Sequence, residues 1–376
     1  MLPNRIRKRR LAWLAGLTWG FLLVCGAPFR SLALVPSPAD WGGLTGPAEK
    51  ELQGTVSSES IPDLQVAWAV DGKVVWSEVL HGRTGSACTT ETEFRIGSVA
   101  KTLTATALLK LVEEGKIDLD RPITQYFPCE VPQAEAMTAR MLAGHLAGIR
   151  HYQGAEAFNS VHYATLQAGL AIFSGSPLVA PPGTRYSYSS YGFNLLGCVM
   201  EAAAREDFPA LMKELVLQPL RMTHTEIDDL THPLPATAPI YERSLLGMVL
   251  PVTPSDDSYK WPSGGYLSTA EDLTRLGDAY LDAGFLSAAS LRLAETSQTA
   301  ADGKPTGYSL GWMVTRDRAN NVVIEHSGSS VGGASWLCVC PAKKSVFAAV
   351  WNVGGADKAV LPVVIRAGRE LREALP

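Results

Sequence analysis

Ser98 and Lys101 stand three residues apart in the stretch Phe94-Arg95-Ile96-Gly97-Ser98-Val99-Ala100-Lys101. On a helix that spacing brings a hydroxyl and an amine to neighbouring turns, a nucleophile beside a proton acceptor. Whether the pair can react depends on where the lysine points. At about 100° per residue, Thr106, Lys110, Glu113 and Glu114 gather on one side, the expected solvent face. Lys101 falls on the opposite side, between Leu108 and Val112 and next to the direction of Ser98. A helical lysine ordinarily keeps its charge in water, but this one would carry it into the apolar face. Desolvation lowers a lysine's pKa and lets it share or accept a proton. Ser98 at the helix start also has backbone N–H groups nearby, which favour developing negative charge.

The elements that must hold this pair can be read from patterning. Residues 64–81 predict two strands around the turn Asp71-Gly72-Lys73, and residues 98–114 predict a helix stopped by Gly115. Residues 137–230 read as mostly helical, and the proline-rich residues 231–262 as an irregular surface excursion. Ser268-Thr269-Ala270-Glu271 opens a further helix with a capping-box pattern. Residues 310–315, 331–339 and 345–351 predict three strands, with Asn320-Asn321 in the turn region between the first two, and residues 358–375 a closing helix. Strands at both ends with helices between imply one α/β unit, its sheet joining N- and C-terminal segments around a helical insert.

Several stretches then resemble one family, the serine β-lactamases and penicillin-binding D,D-peptidases. The similarity is greatest to the class C-like branch with its esterases and mitochondrial β-lactamase-like proteins. Residues 94–120 resemble its first motif region, and Met141-Leu142-Ala143-Gly144-His145-Leu146-Ala147-Gly148-Ile149 its helix-to-loop signature. Pro182 to Ser190 resembles the Tyr-x-Asn motif, with Tyr188 as its tyrosine and Ser190 in place of asparagine. Ser263-Gly264-Gly265 resembles a Gly-Gly segment, and His326-Ser327-Gly328 stands where many members have Lys-Thr-Gly.

The resemblance implies a β-lactamase/transpeptidase-like fold: an antiparallel sheet with flanking helices and a mostly helical middle region. It further implies that Ser98 forms an acyl-enzyme. Tyr188 would relay protons, made more acidic by the Lys101 cation and by His326, and His326 would donate to a substrate oxygen or to Tyr188. The backbone N–H groups of Ser98 and Ser329 would form an oxyanion hole. Ser190, Ser327 and Gly328 would bind substrate. Serine for asparagine and histidine for lysine weaken recognition of the acylamino and carboxylate groups of penicillins, while leaving acyl transfer intact. Gly328-Ser329-Ser330-Val331-Gly332 also fits the Gly-x-Ser-x-Gly elbow. That motif needs a helix after its serine and a later histidine, and here a strand pattern follows and no histidine comes after His326.

Composition bounds the partners. Residues 1–33 hold six of the 33 Lys+Arg and none of the 37 Asp+Glu, leaving 27 basic against 37 acidic residues, a net charge of −10, for the remainder. Such a body is a poor match for nucleic acid or an anionic membrane. Arg5, Arg7, Lys8, Arg9 and Arg10 precede an apolar run from Leu11 to Cys25, and Ser31-Leu32-Ala33 offers a small-x-small cleavage site. Residues 1–33 therefore read as an export signal, with an uncleaved membrane anchor as the alternative. Residues 34–60 read as a linker and 61–376 as the hydrolase domain, exported to the periplasm or secreted. Five cysteines follow the leader; of these only Cys88 and Cys129 leave room for a bridge, and Cys198 reads as a core residue. No CxxC or HExxH spacing occurs, so neither a metal nor another cofactor is expected. The expected substrate is a small molecule or peptide with an ester or amide. The alternatives are a D,D-carboxypeptidase or peptidase of the same family, or a binding protein that retains the fold without turnover.

Overall fold

The computed structural model describes residues 38–83, 87–233 and 236–376; the expected export segment, 1–33, lies outside them. Residues Pro38–Ser58 form α1. Asp63–Val70 and Lys73–His81 form the hairpin β1–β2. Asp71 and Gly72 at its turn both take positive φ, 51° and 71°, as a tight two-residue hairpin connection requires. Strand β3 (Phe94–Arg95) leads through a 3-10 turn, Gly97–Val99, into α2 (Ala100–Glu113). The helical middle holds α3 (Ala139–Ala143), α4 (Leu166–Gly169), α5 (Ser190–Ala204) and α6 (Phe208–Met212).

Short strands β4 (Glu226–Ile227), β5 (Tyr241–Arg243), β6 (Val249–Pro251) and β7 (Tyr266–Ser268) punctuate the excursion that follows. Helices α7 (Ala270–Asp278) and α8 (Ala288–Glu295) come next. Strands β8 (Met313–Arg316), β9 (Val322–Ser330), β10 (Gly333–Cys340) and β11 (Ser345–Trp351) then run as a meander, followed by β12 (Val353–Gly354) and α9 (Asp357–Glu373).

The main sheet has the order β2-β1-β11-β10-β9-β8 and is antiparallel throughout. The pairing of β1 with β11 closes the two ends of the sequence, Leu64 lying opposite Trp351 and Val70 opposite Ser345. Alternate residues of these strands enter two cores, as the strand period of two requires. Ala67, Ala69, Leu337, Val346 and Val350 face α2, α5 and α7, while Trp68, Trp336, Phe347 and Trp351 face α1 and α9. Covered on both faces, β1, β10 and β11 are buried along their whole length.

Four expectations are corrected. The stretch read as a linker is helical from Pro38. Trp41, Ala48, Leu52 and Val56 recur at helical spacing, all buried in the second core, which outweighs the local glycines and Pro47. On α2, Thr106 faces the interior rather than solvent: it is fully buried, with its hydroxyl 2.7 Å from Tyr280 Oη. Only the last turn of that helix meets water. Strand β9, expected only as an edge strand led by His326, starts at Val322 and lies between β8 and β10, and residues Val331-Gly332 are its turn rather than strand. Serines and a glycine over Ser327–Ser330 carry little strand signal. Finally, Cys129 is a free thiol, so it forms no bridge with Cys88.

Candidate active site

Gly97 aims the serine. Its φ is +49°, and a Cβ there would stand 2.6 Å from the backbone N of Ser329, so only glycine lets the turn before α2 pack on β9. Gly328 is needed for the same reason, since a Cβ on it would collide with Ile96 O. Ser335 Oγ on β10 donates to that same carbonyl at 2.6 Å. The turn carrying Ser98 is thereby fixed against one stretch of sheet. Strand β8 pairs only with Val322–Glu325. From His326 to Ser330, β9 therefore has no β8 partner along that side, and these residues line a cavity of about 550 Å³ with Ser98, Tyr188 and Ser190.

Lys101 is fully buried. Its Nζ lies 3.1 Å from Ser98 Oγ, 3.1 Å from Ser190 Oγ and 2.6 Å from the Ser263 carbonyl oxygen. All three partners are neutral oxygens, two hydroxyls and a carbonyl, so no carboxylate stabilises a charge on this amine. Burial, and then the charge of Lys260, hold its pKa well below the ordinary lysine value. The amine also stands 5.1 Å from the centroid of the Tyr188 ring.

Tyr188 lines the cavity together with Ser98 and Ser190. Its acidity goes the other way from that expected. Burial raises its pKa, and the neighbouring hydroxyls of Ser98 and Ser190 offset this only in part.

His326 also departs from expectation. Its Nδ1 is 2.6 Å from the Ser327 carbonyl oxygen, which can only accept, so Nδ1 carries the proton. Nε2 then accepts from Tyr308 Oη at 2.9 Å. Both ring nitrogens are occupied, and neither serves Tyr188 or an incoming substrate oxygen. Burial, with a lesser contribution from Lys101, lowers its pKa to about 3, so the ring is neutral and brings no positive charge.

Ser190 is buried at the start of α5 and meets Lys101, Tyr188 and Tyr152. Ser189 caps the helix, accepting from Gly192 N at 3.1 Å. Two histidines, both read as incidental in the sequence, fix this segment. His145 Nδ1 accepts from Ser189 N at 3.2 Å, and His151 Nδ1 accepts from Ser190 N at 3.1 Å. His145 has φ +58°, a left-handed backbone uncommon for a residue other than glycine, and it lies within the quoted helix-to-loop signature. The sequence reading also missed Tyr152, Tyr308 and Lys260. Lys260 lines the cavity from a short turn, paired with Asp257 at 2.8 Å. Its surroundings of Asp256-Asp257 and Tyr259-Lys260-Trp261 look like surface excursion in one dimension.

Comparison with known proteins gives the family. The family model described as Beta-lactamase matches residues 48–368. A penicillin-binding protein 4 of Amycolatopsis lactamdurans is 30% identical, over 79% of this chain and 82% of that protein. The human serine beta-lactamase-like protein LACTB, mitochondrial, is 26% identical, over 74% of this chain and 69% of that protein. Among solved structures, the octameric penicillin-binding protein homologue from Pyrococcus abyssi superposes with a TM-score of 0.74 at 25% identity, covering 88% of this chain and 79% of that one. A class C beta-lactamase also reaches 0.74, at 19% identity over 90% and 98%, and shares the fold. The chain belongs to the beta-lactamase family, with the α/β fold of its serine hydrolases and penicillin-binding proteins.

Proposed function

We propose that this protein is a serine hydrolase that forms an acyl-enzyme through Ser98 and cleaves an amide or ester bond outside the cytoplasm. One observation carries the reading: Ser98 Oγ lies 3.1 Å from a buried amine whose hydrogen-bond partners are all neutral. In this scheme Lys101 Nζ takes the hydroxyl proton as Ser98 Oγ bonds to the substrate carbonyl carbon. The carbonyl oxygen gains negative charge and is held by the backbone N–H groups of Ser98 and Ser329. The C–N or C–O bond then breaks. The leaving group takes a proton through the Tyr188 phenol, which is replenished from Lys101. Water then bonds to the acyl carbon as Lys101 takes its proton, the bond from that carbon to Ser98 Oγ breaks, and Lys101 returns the proton to Oγ, releasing the acid.

Amides gain support from the unpaired side of β9, which can pair with an extended peptide-like substrate. Structural relatives include a D-stereospecific amidohydrolase from Streptomyces and a D-amino acid amidase from Ochrobactrum anthropi. The location rests on the basic and apolar leader alone. Intact mass after incubation with a fluorophosphonate, and separately with penicillin, tests the nucleophile. Wild type and Ser330→Ala should gain the fluorophosphonate adduct and Ser98→Ala should not. An adduct surviving Ser98→Ala but lost in Ser330→Ala would overturn the assignment.

A further inference from the structure

The cavity wall holds a second buried lysine that the scheme above leaves without a task. Lys260 is 5% exposed and lines the cavity that Ser98 lines. Its backbone carbonyl accepts the N–H groups of Ser263, Gly264 and Gly265, at 2.9, 2.9 and 3.1 Å. That turn presents the Ser263 carbonyl to Lys101 at 2.6 Å. Tyr152 lines the same cavity, with Ser263, Ser190 and the Lys260 charge all acting on its phenol. The two lysines are thus joined through one turn.

We propose that Lys260 is a positioning residue that keeps Lys101 a free amine, by its charge and by the turn that it begins. This deepens, and rests on, the assignment of Ser98 and Lys101. The two lysines differ in their partners. Lys260 has the Asp257 carboxylate at 2.8 Å, which offsets its burial and raises its pKa. Lys101 has only hydroxyls and a carbonyl, so of two neighbouring amines it is the one that gives up its proton.

The other groups around Lys101 do not supply this field. Ser98 lies on the turn that leads into its helix, and Tyr188 and Ser190 lie across the cavity. Burial depresses all three nearby imidazoles: His145 well below the ordinary value, His151 to about 4 and His326 to about 3. They are neutral at neutral pH. The carboxylates lining the cavity, Glu242 and Asp357, contact Gly332 N and Ser329, on the β9 side rather than the Lys260 side.

Behind Lys260 the charges balance in pairs. Asp257 also accepts from Ser255 Oγ at 2.9 Å, Ser255 Oγ accepts from Arg95 at 3.1 Å, and Arg95 pairs with Asp228 at 2.6 Å. Removing the Lys260 charge leaves this group one negative charge in excess, and a proton on Lys101 is then favoured. The direction holds whether Asp257 screens Lys260 strongly or weakly.

The test is the rate of fluorophosphonate labelling of Ser98 against pH, for wild type, Lys260→Met, Lys260→Gln and Lys260→Arg, with far-UV circular dichroism to identify folded variants. In Met and Gln variants the acid limb should move up by about one pH unit, so that labelling on that limb falls about tenfold. The deficit should shrink toward the alkaline plateau. Arginine, always charged, should hold the limb within a few tenths of a unit of wild type. An unmoved limb in a folded Met or Gln variant, or a loss equal at every pH, overturns the proposal. Failure to label the wild type at all would instead refute Ser98 as nucleophile.

Discussion

His326→Gln examines a neutral, buried histidine where the sequence suggests an accessible donor. Glutamine can still accept from Tyr308 and donate to a carbonyl, but it cannot titrate. In the fold, burial lowers the imidazole pKa from 6.5 to about 3. A group depressed in this way favours the folded state fully above pH 6.5 and loses that contribution as pH falls toward the folded value. Between pH 8 and pH 5 only the unfolded chain takes up the proton, so the wild type loses about 2 kcal/mol at this one site. Other groups titrate as well. His151 works in the same direction, whereas Glu93 and Asp278, both raised by burial to about 7, gain stability over that interval.

The acid stability of the wild type alone is therefore uninformative, but these terms are common to both proteins and cancel in the difference. Urea unfolding of both proteins at pH 8 and pH 5 gives that difference by linear extrapolation. The wild type should lose about 2 kcal/mol more than His326→Gln over the interval. A stability gap equal at both pH values would show that the ring is accessible or already charged in the folded protein, and would remove the basis for treating it as neutral.

Gly97→Ala should cost more than backbone strain. Gly72→Ala, at a positive φ with open space around it, should lower stability by about 1–2 kcal/mol and leave labelling intact, whereas Gly97→Ala should abolish labelling because its Cβ meets Ser329; equal effects in the two variants would refute the packing account. A chromogenic ester should be hydrolysed with a higher kcat/KM than a chromogenic cephalosporin, because Ser190 is committed to Lys101 and His326 brings no charge. Ser190→Asn with His326→Lys should shift the ratio toward the cephalosporin, and an unmodified enzyme that prefers the cephalosporin would refute this reading.

How far the site was legible depended on whether its determinants were local. The spacing of Ser98 and Lys101 is local, and the helix period alone turned the lysine inward. The same wheel misplaced Thr106 because periodicity cannot show that α2 is covered on nearly every side; that coverage comes from α5, α6 and the Tyr280 segment. The strand content at both ends of the chain was likewise written in runs of apolar residues. The pairing of β1 with β11, nearly three hundred positions away, was inferred only from the need to bury both. Strand β9 was only partly legible, since Ser327–Ser330 is chosen for close approach to Ile96 and Gly97 rather than for strand propensity.

What tertiary structure alone decided is the protonation of the site. The sequence shows His326, Tyr188 and Lys260 as types with ordinary tendencies: a switchable imidazole, an acidifiable phenol and a surface lysine. Burial and partners reverse each of these. Tyr308 and the Ser327 carbonyl occupy the imidazole, desolvation makes the phenol less acidic, and Asp257 keeps Lys260 charged inside the wall. Charge states depend on solvent exclusion and on neighbours distant in sequence. Residue types and their spacing determine which groups can react, and only the packed chain sets which of them carry a proton.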